Sequence, residues 1–345
     1  MSSRAGEPPH LILQLSMKTP RKVIAMLLLA CAAMAAAQEP QAPAVWTPGM
    51  EEKKKQGEDL QTFKVDVKLV NVHVTAVDAN GAPVAGLVKE NFRVTEDGVP
   101  QEVRVFAKES ELPLSIVVAV DASLSVRTNI KLEVESARRF IHSIVRKQDA
   151  LALYQFDAEV RELVRFTSDL RTIDRGIDRV RVGSATALYD AIYLGSEALA
   201  KRQGRKVLVV ITDGGDTMSQ VSYGEALRAA QQSEAILYAI VIVPVEASAG
   251  RNTGGEHALI QMTNDTGGKY YYAKGFPDLD RVFGEIGEQL RTQYLLGYYP
   301  KPRVSDSDFR RLEVTLAPAA GGPPAAELEK ISARHRTGYY TSKMK

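Results

Sequence analysis

Cysteine is almost missing from this chain. Its 345 residues hold one, Cys31, so the remainder has no disulfide, no thiolate nucleophile and no cysteine-based zinc site. Histidine is scarce and scattered, at His10, His73, His142, His257 and His335, with no metal-ligand spacing among them. Neither sign of charge dominates. Against 44 Lys and Arg stand 42 Asp and Glu, a net charge of +2, and no basic stripe with interleaved aromatics appears. That balance argues against nucleic acid as a partner. A Gly-x-Ser-x-Gly elbow is also absent, and no histidine is placed to serve a serine hydrolase. Long apolar runs are lacking too: the one near the N-terminus is too short to span a bilayer comfortably.

What the N-terminus does contain is an export pattern. Lys18, Arg21 and Lys22 precede the apolar run Val23 to Ala30, and Ala35-Ala36-Ala37-Gln38 follows with small residues. A basic region, a short apolar core and an Ala-x-Ala site predict a signal peptide over residues 1–37, with Met17 as an alternative start. Leu28-Leu29-Ala30-Cys31 also resembles a bacterial lipobox, which would put a lipid on Cys31; ordinary cleavage at the Ala-x-Ala site is the preferred reading. Residues 38–61, rich in Pro, Ala, Glu, Lys and Gln, read as a disordered linker. The chain is thus predicted to be periplasmic, secreted or at the cell surface.

Residues 62–110 alternate with period two. Phe63, Val65, Val67 and Leu69, then Val72, Val74 and Ala76, predict half-buried strands. Asn80-Gly81 is a tight-turn signal, because both residues tolerate positive φ. Phe92 to Thr95 and Val103 to Phe106 flank Glu96-Asp97-Gly98 as an expected second hairpin, and turn chemistry accounts for the acids Asp78, Glu96 and Asp97. This segment is too short for a complete immunoglobulin-type sandwich of about 100 residues.

From residue 113 to 292 strands and helices alternate. Val117 to Val120, Ala150 to Phe156, Val207 to Ile211, Ile236 to Val243 and Lys269 to Ala273 read as strands, and Val160 to Phe166 as an edge strand hairpinned back. Between them Ile130, Val134, Ala137, Phe140, Ile141, Ile144 and Val145 recur at helical spacing, and Ser168 is placed to cap a further helix. Alternation of this kind predicts an α/β fold, a doubly wound, mostly parallel six-stranded sheet with helices on both faces. Three loops collect at strand or helix ends: Asp121, Ser123 and Ser125 after the first strand, Thr186 before a helix, and Asp213 after a second buried strand. Open α/β sheets place ligands at that rim. An oxygen-only donor set suits a hard cation such as Mg²⁺ better than Zn²⁺. Taken singly, Asp and Ser after a strand equally make a turn or a helix cap.

Asp121-Ala-Ser123-Leu-Ser125, then Thr186, then Thr212-Asp213-Gly214 together resemble the three parts of a metal-ion-dependent adhesion site in a von Willebrand factor type A domain, the I domain of integrins. The flanks are similar to exported bacterial proteins of the VWFA-related type. The resemblance implies direct metal ligation by the hydroxyls of Ser123 and Ser125, by Thr186 when a ligand is bound, and action of Asp121 and Asp213 through water and hydrogen bonds. It implies Mg²⁺, with Mn²⁺ or Ca²⁺ as alternatives, and a protein or peptide partner that supplies a carboxylate. Integrin β-type domains carry acids for a neighbouring metal site just after the second serine; Val126 and Arg127 stand there, so that second site is not expected. Asp157, Asp190 and Asp216 are candidates to stand behind the ligands. In the Tyr270-Tyr271-Tyr272 cluster, alternating burial in an edge strand is preferred to binding.

Residues 293–345 contain three further strand-like runs, Tyr294 to Tyr299, Phe309 to Leu316 and Ile331 to Tyr340, too few to stand alone. They are expected to pair with residues 62–110 as one discontinuous, small β-sandwich-like domain, with the α/β unit inserted in it. The expected function is a non-enzymatic, exported binding protein, in adhesion or envelope assembly. One alternative is a Mg²⁺-dependent phosphatase or phosphotransferase similar to haloacid-dehalogenase enzymes, although these need a second aspartate where Ser123 stands. The other is a structural envelope protein with a vestigial metal site.

Overall fold

A computed structural model describes residues 69–108, 112–124, 130–242, 253–301 and 308–341. The expected signal peptide and linker, the strand around Phe63 to Val67, and Ser125 with Val126 and Arg127 lie outside the described residues.

The first strands are β1 (Val70–Val77), β2 (Phe92–Glu96), β3 (Val99–Gln101) and β4 (Val103–Lys108). After β1 the chain turns at Asn80-Gly81: Gly81 takes φ 82°, and the Asp78 carboxylate accepts hydrogen bonds from the Asn80 and Ala82 amides. After β2 it turns at Asp97 and Gly98, both at positive φ. The second hairpin differs from the expected one. This two-residue turn sets Glu96 opposite Val99 and Val94 opposite Gln101, so β2 pairs with β3. β4 then crosses to another sheet and pairs with a strand from the far end of the chain. Hydrophobic alternation marks both runs as strands but says nothing about which sheet each joins.

The α/β unit follows as β5 (Leu114–Asp121), α1 (Ile130–Ile144), β6 (Ala150–Phe156), β7 (Val160–Thr167), α2 (Leu170–Ile177), α3 (Leu188–Ala200), β8 (Arg205–Thr212), α4 (Tyr223–Ser233), β9 (Ile236–Ile242), α5 (Thr253–Thr266), β10 (Lys269–Ala273) and α6 (Phe276–Arg291). The sheet order is β10-β9-β8-β5-β6-β7, parallel throughout except for the antiparallel edge strand β7. β5 lies in the middle with all eight residues buried. Its alternate side chains serve opposite faces. Ile116, Val118 and Val120 pack with Phe140 and Ile141 of α1, Ile173 of α2 and Phe283 of α6. Val117 and Ala119 pack with Leu188 and Ile192 of α3, Ala226 of α4 and Leu259 of α5. Each fully buried aliphatic side chain contributes about 1.5–3 kcal/mol. α2 is capped by Asp169, whose carboxylate accepts from the Arg171 and Thr172 amides, instead of by Ser168; an ionised acid serves the helix start better than a neighbouring hydroxyl. Tyr271 is buried and Tyr272 exposed on the edge strand β10, in line with alternating burial.

The chain ends with β11 (Tyr294–Tyr298), β12 (Phe309–Leu316), the short helix α7 (Ala325–Leu328), β13 (Ser332–Arg334) and β14 (Gly338–Tyr340). Strands from both ends of the chain share two four-stranded sheets, β13-β1-β11-β4 and β14-β12-β2-β3. Their inner faces meet in one core of Val72, Val74, Phe92, Val94, Tyr294, Leu296 and Val314. Across it, Tyr298 of the first sheet and Tyr339 of the second both donate to the buried Glu96 carboxylate, at 2.7 and 2.9 Å. The expected single strand from Ile331 to Tyr340 is broken in two at His335 to Thr337, because its halves join different sheets. Behind the α/β sheet, the buried Arg205 guanidinium donates to the Leu290 carbonyl and to Gln293 Oε1, and Gln293 donates to Thr75 of β1 at 3.1 Å. That joint lies where β8 begins and α6 ends, at the opposite rim from the loops that follow β5 and β8.

A chain ending at residue 293 loses β11 from between β1 and β4. It is expected to lose the single cooperative thermal transition of the full chain, and an unchanged transition by circular dichroism would show that the two flanks fold independently. His335 provides a pH probe. Its Nε2 accepts from the Val314 amide at 3.0 Å, which leaves Nδ1 protonated and donating to the Arg336 carbonyl, and burial holds its pKa below the usual value. A folded pKa below the unfolded one means that its contribution is complete above about pH 6.5 and is lost as pH falls through the folded value. The stability difference between wild type and His335→Asn is therefore expected to shrink below about pH 6.5 in denaturant titrations.

Candidate metal centre

The topology makes a crevice before any side chain is considered. From β5 the chain crosses to β6 through α1, on the face shared with α2 and α6. From β8 it crosses to β9 through α4, on the other face. β5 and β8 are neighbours, so their C-terminal ends open where the connections diverge. Asp121 ends β5, Asp213 follows β8, and Thr186 stands two residues before α3.

Main-chain hydrogen bonds lace the three loops together. The Gly183 amide donates to the Ala122 carbonyl at 2.6 Å, and the Leu124 amide to the Ser184 carbonyl at 3.0 Å. The Thr186 carbonyl accepts from the Thr217 and Met218 amides, and the Thr186 amide donates to the Thr217 hydroxyl at 2.9 Å. Gly183 must be glycine for this closeness: a Cβ there would lie 2.3 Å from Cγ of Asp157.

Asp121 is fully buried. Its Oδ1 accepts from the Ser123 amide at 2.8 Å and its Oδ2 from the Thr212 hydroxyl at 2.6 Å. Burial nevertheless pushes its pKa up to about 6, against the hydrogen bonds from Thr212 and Ser123, and the negative charge of Asp213 adds to the rise. Ser123 and Thr186 are also buried, while Asp213 is partly exposed. The loops that carry Asp121, Ser123, Thr186 and Asp213 thus meet on one rim.

The three acids expected behind this set do different work. Asp157 is buried and held by Nη1 and Nη2 of Arg161 and by Gln155. It reaches the site through its main chain, whose carbonyl accepts from the Ala187 amide at 2.7 Å. Asp216 caps α3, accepting from the Leu188 and Tyr189 amides and from the Ser219 hydroxyl. Asp190 accepts from the Gln220 and Val221 amides and ties α3 to the loop after β8. All three therefore order the loops that carry the site.

Two residues escaped the sequence reading. Thr212 belongs to the matched motif, but only the fold turns its hydroxyl onto Asp121 across the sheet. Glu133, in the first turn of α1, is fully buried, and neither carboxylate oxygen has a hydrogen-bond partner. Burial raises its pKa well above the usual carboxylate range, and the charges of Asp121 and Asp213 add to the rise. A signal for it existed: Ile130, Glu133, Val134 and Ala137 share one helix face, so an acid occupies a position in an apolar stripe.

The donor set fits a hard cation. Carboxylates and hydroxyls meet in a buried crevice, and among the described residues no lysine or arginine contributes to the shift at Asp121 or Glu133. Among the described residues no group of three or more His, Cys, Asp and Glu side chains forms a metal cluster, so any ion would rely on hydroxyl oxygens as well. Asp216→Ala is expected to uncap α3 and cost about 1–2 kcal/mol in denaturant unfolding. A loss under about 0.3 kcal/mol would show that the cap does not support the Thr186 loop.

The von Willebrand factor type A domain model matches residues 116–215, from within β5 to just beyond Asp213. No curated protein matches the chain. Among solved structures, a von Willebrand factor type A protein from Catenulispora acidiphila is similar over 81% of this chain and 76% of its own, at 10% identity and a TM-score of 0.46. The conserved hypothetical protein BatB from Bacteroides thetaiotaomicron is similar over 51% of this chain and 98% of its own, at 18% identity and a TM-score of 0.42. The PilB minor pilin from Streptococcus sanguinis is similar over 52% and 62%, at 13% identity and a TM-score of 0.43. With the six-stranded α/β sheet on which the matched span lies, this chain carries a von Willebrand factor type A domain.

Proposed function

We propose that this chain is an exported binding protein, not an enzyme, that holds one divalent cation at the rim of its α/β sheet and grips an acidic group of a protein or peptide ligand. The observation that carries the reading is the buried carboxylate of Asp121, facing Asp213 among buried hydroxyls with no cationic side chain acting on it among the described residues. Ser123, Ser125 and Thr186 would hold the ion through their hydroxyls, and Asp121 and Asp213 through water. Mg²⁺ suits these oxygens, with Mn²⁺ or Ca²⁺ as substitutes. Once bound, the cation supplies a positive charge and a vacant position for an outside oxygen.

The residues around the site favour a macromolecular ligand. Three of the exposed large apolar side chains belong to its loops: Leu124 at 57% exposure, Val182 at 37% and Met218 at 55%. Leu124 follows Ser123, Val182 precedes Gly183, and the Met218 amide is bonded to Thr186. An apolar fringe around a polar centre matches a partner surface in which one acid projects among apolar neighbours. The two β-sheets from the chain ends are proposed to act as a single carrier domain (62–110 with 293–345) for the inserted binding unit (113–292). Export rests on the N-terminal charge and apolar pattern. No helix among the described residues is long and apolar enough to cross a membrane.

Asp121→Ala is expected to abolish Mg²⁺ and Mn²⁺ binding measured by calorimetry on the full chain, and Thr212→Val to weaken it about tenfold or more. Cation affinity unchanged in Asp121→Ala would remove the site. Capture of a carboxylate-bearing protein from envelope extract is expected to require the ion and to stop when a chelator is added.

A further inference from the structure

The joint between the α/β unit and the β-sheets holds a cleft in which no residue of the adhesion-site pattern takes part. It is open to solvent, has a volume of about 890 Å³, and lies between α4, the end of α5 and the sheet β14-β12-β2-β3. That volume falls within the ~300–1,000 Å³ of small-ligand pockets. The floor is the outer face of the sheet. Leu312 and Val314 of β12 turn into the sandwich core, so Phe309, Arg311 and Glu313, at alternate positions, turn into the cleft. Thr95 of β2 stands opposite Glu313. Leu227 and Gln231, one turn apart on α4, supply the facing wall, and Asp265 near the end of α5 and Tyr340 of β14 complete the lining.

Gln231 is the residue that asks for a ligand. It is 4% exposed, and among the described residues no group hydrogen-bonds its carboxamide. An unbonded buried amide destabilises the fold, and a Leu at that place would fill the space without the penalty. Near it on α4, Arg228 lays its guanidinium 4.3 Å from the centre of the Tyr340 ring and leaves its own buried Nε without a partner.

The lining selects for hydroxyl groups. A carboxylate only accepts hydrogen bonds, a guanidinium only donates, and a carboxamide does both side by side. Asp97 is already held by the Arg311 amide and by Arg310, and Asp265 by Thr337 and Gln261. Glu313 and Arg311, one charge of each sign, are left to meet a ligand, so neither sign is favoured. A hydroxyl both donates and accepts, and so satisfies every member of this mixed set. Two adjacent hydroxyls match the paired donor and acceptor of the Gln231 carboxamide. An extended peptide fits less well, because β12 and β2 are hydrogen-bonded on both sides and offer no free edge for a further strand. Phe309 and Tyr340, edge to face at 4.9 Å, provide an apolar end for the C–H face of a sugar ring.

We propose that this cleft binds a short neutral oligosaccharide, with Gln231 at its base and Arg311 and Glu313 on its floor. Such a ligand touches α4 of the α/β unit and β12 of the β-sheets at once, and fastens one to the other. The site is independent of the cation reading: none of its residues lies in the loops around Asp121, and it needs no ion.

The test is calorimetry on the full chain with maltotriose, cellotriose and chitotriose, together with thermal melting, for wild type, Gln231→Leu, Arg311→Ala and Glu313→Ala. At least one of these sugars is expected to bind with a Kd of about 1 mM or tighter and to raise the melting temperature. Gln231→Leu is expected to weaken that binding about tenfold or more, while melting at or above the wild-type temperature without sugar. Arg311→Ala and Glu313→Ala, both surface changes, are each expected to weaken it about threefold or more. Chelator and Asp121→Ala are expected to leave sugar affinity unchanged; its loss in either would assign the sugar to the cation site and overturn the proposal. No binding of any of the three sugars at about 10 mM would also overturn it, as would affinity within about twofold of wild type in Gln231→Leu. A lower melting temperature of Gln231→Leu without sugar would mark the amide as structural and remove its role. A synthetic Thr-Val repeat peptide that binds where no sugar does would give the cleft to a peptide instead.

Discussion

Every part of the site answers to a single constraint: a carboxylate, Asp121, ends a strand that has no solvent on either face. Eight buried residues of β5 carry it to the rim, and there it cannot be hydrated. Its two oxygens must find donors in the protein, and they do, in the Ser123 amide and the Thr212 hydroxyl. One donor lies in the loop after β5 and the other ends β8. They lock the loop after β5 to the end of β8, and the Ala122 and Ser184 carbonyls then draw in the loop before α3. The desolvation left over is visible in the pKa of Asp121, which burial raises against both bonds.

Around this centre the acidic residues divide into two kinds. Asp157, Asp190 and Asp216 are each satisfied by guanidinium or amide donors, and their charge goes into ordering loops. Asp121 and Glu133 are instead raised in proton affinity by burial, and the charge of Asp213 adds to the rise at both. A group already paired with Arg161 has little attraction left for a cation, whereas one pressed against another acid has much. That contrast, more than position on the rim, separates scaffold from site.

The opposite end of the molecule is built on different terms. Arg205 and Gln293 fasten the end of α6 to β1, and Glu96 clamps the two β-sheets through Tyr298 and Tyr339. These side chains bond to one another or to the main chain across element boundaries, which makes that end a mount. The open crevice, with its fringe of Leu124, Val182 and Met218, lies at the far rim of the sheet.

The α/β core was legible because its signals are local. The strands β5, β6, β8 and β9 announce themselves as short apolar runs, and α1 repeats at helical spacing. The antiparallel β7 could be read from its closeness in sequence to β6. Asp121, Ser123, Ser125, Thr186 and Asp213 were legible as a set only through the resemblance to a metal-ion-dependent adhesion site; each one's place at the edge of an element equally suits a turn or a cap. The β-flanks were legible only as strands. That β2 takes β3 as partner and yields β4 to another sheet, or that residues 331–340 divide between two sheets, follows from turn geometry and layer packing, which alternation does not encode.

From the residues alone came the class of fold, the order of its elements and the chemical nature of the rim, since periodicity and donor type are properties of the chain itself. Only the folded molecule decided which acids are neutralised and which are not. That depends on which side chains from distant segments arrive within hydrogen-bond reach: Arg161 beside Asp157, Thr212 beside Asp121, and no described donor beside Glu133. Burial and partnership are relations between segments, and no spacing along one chain contains them.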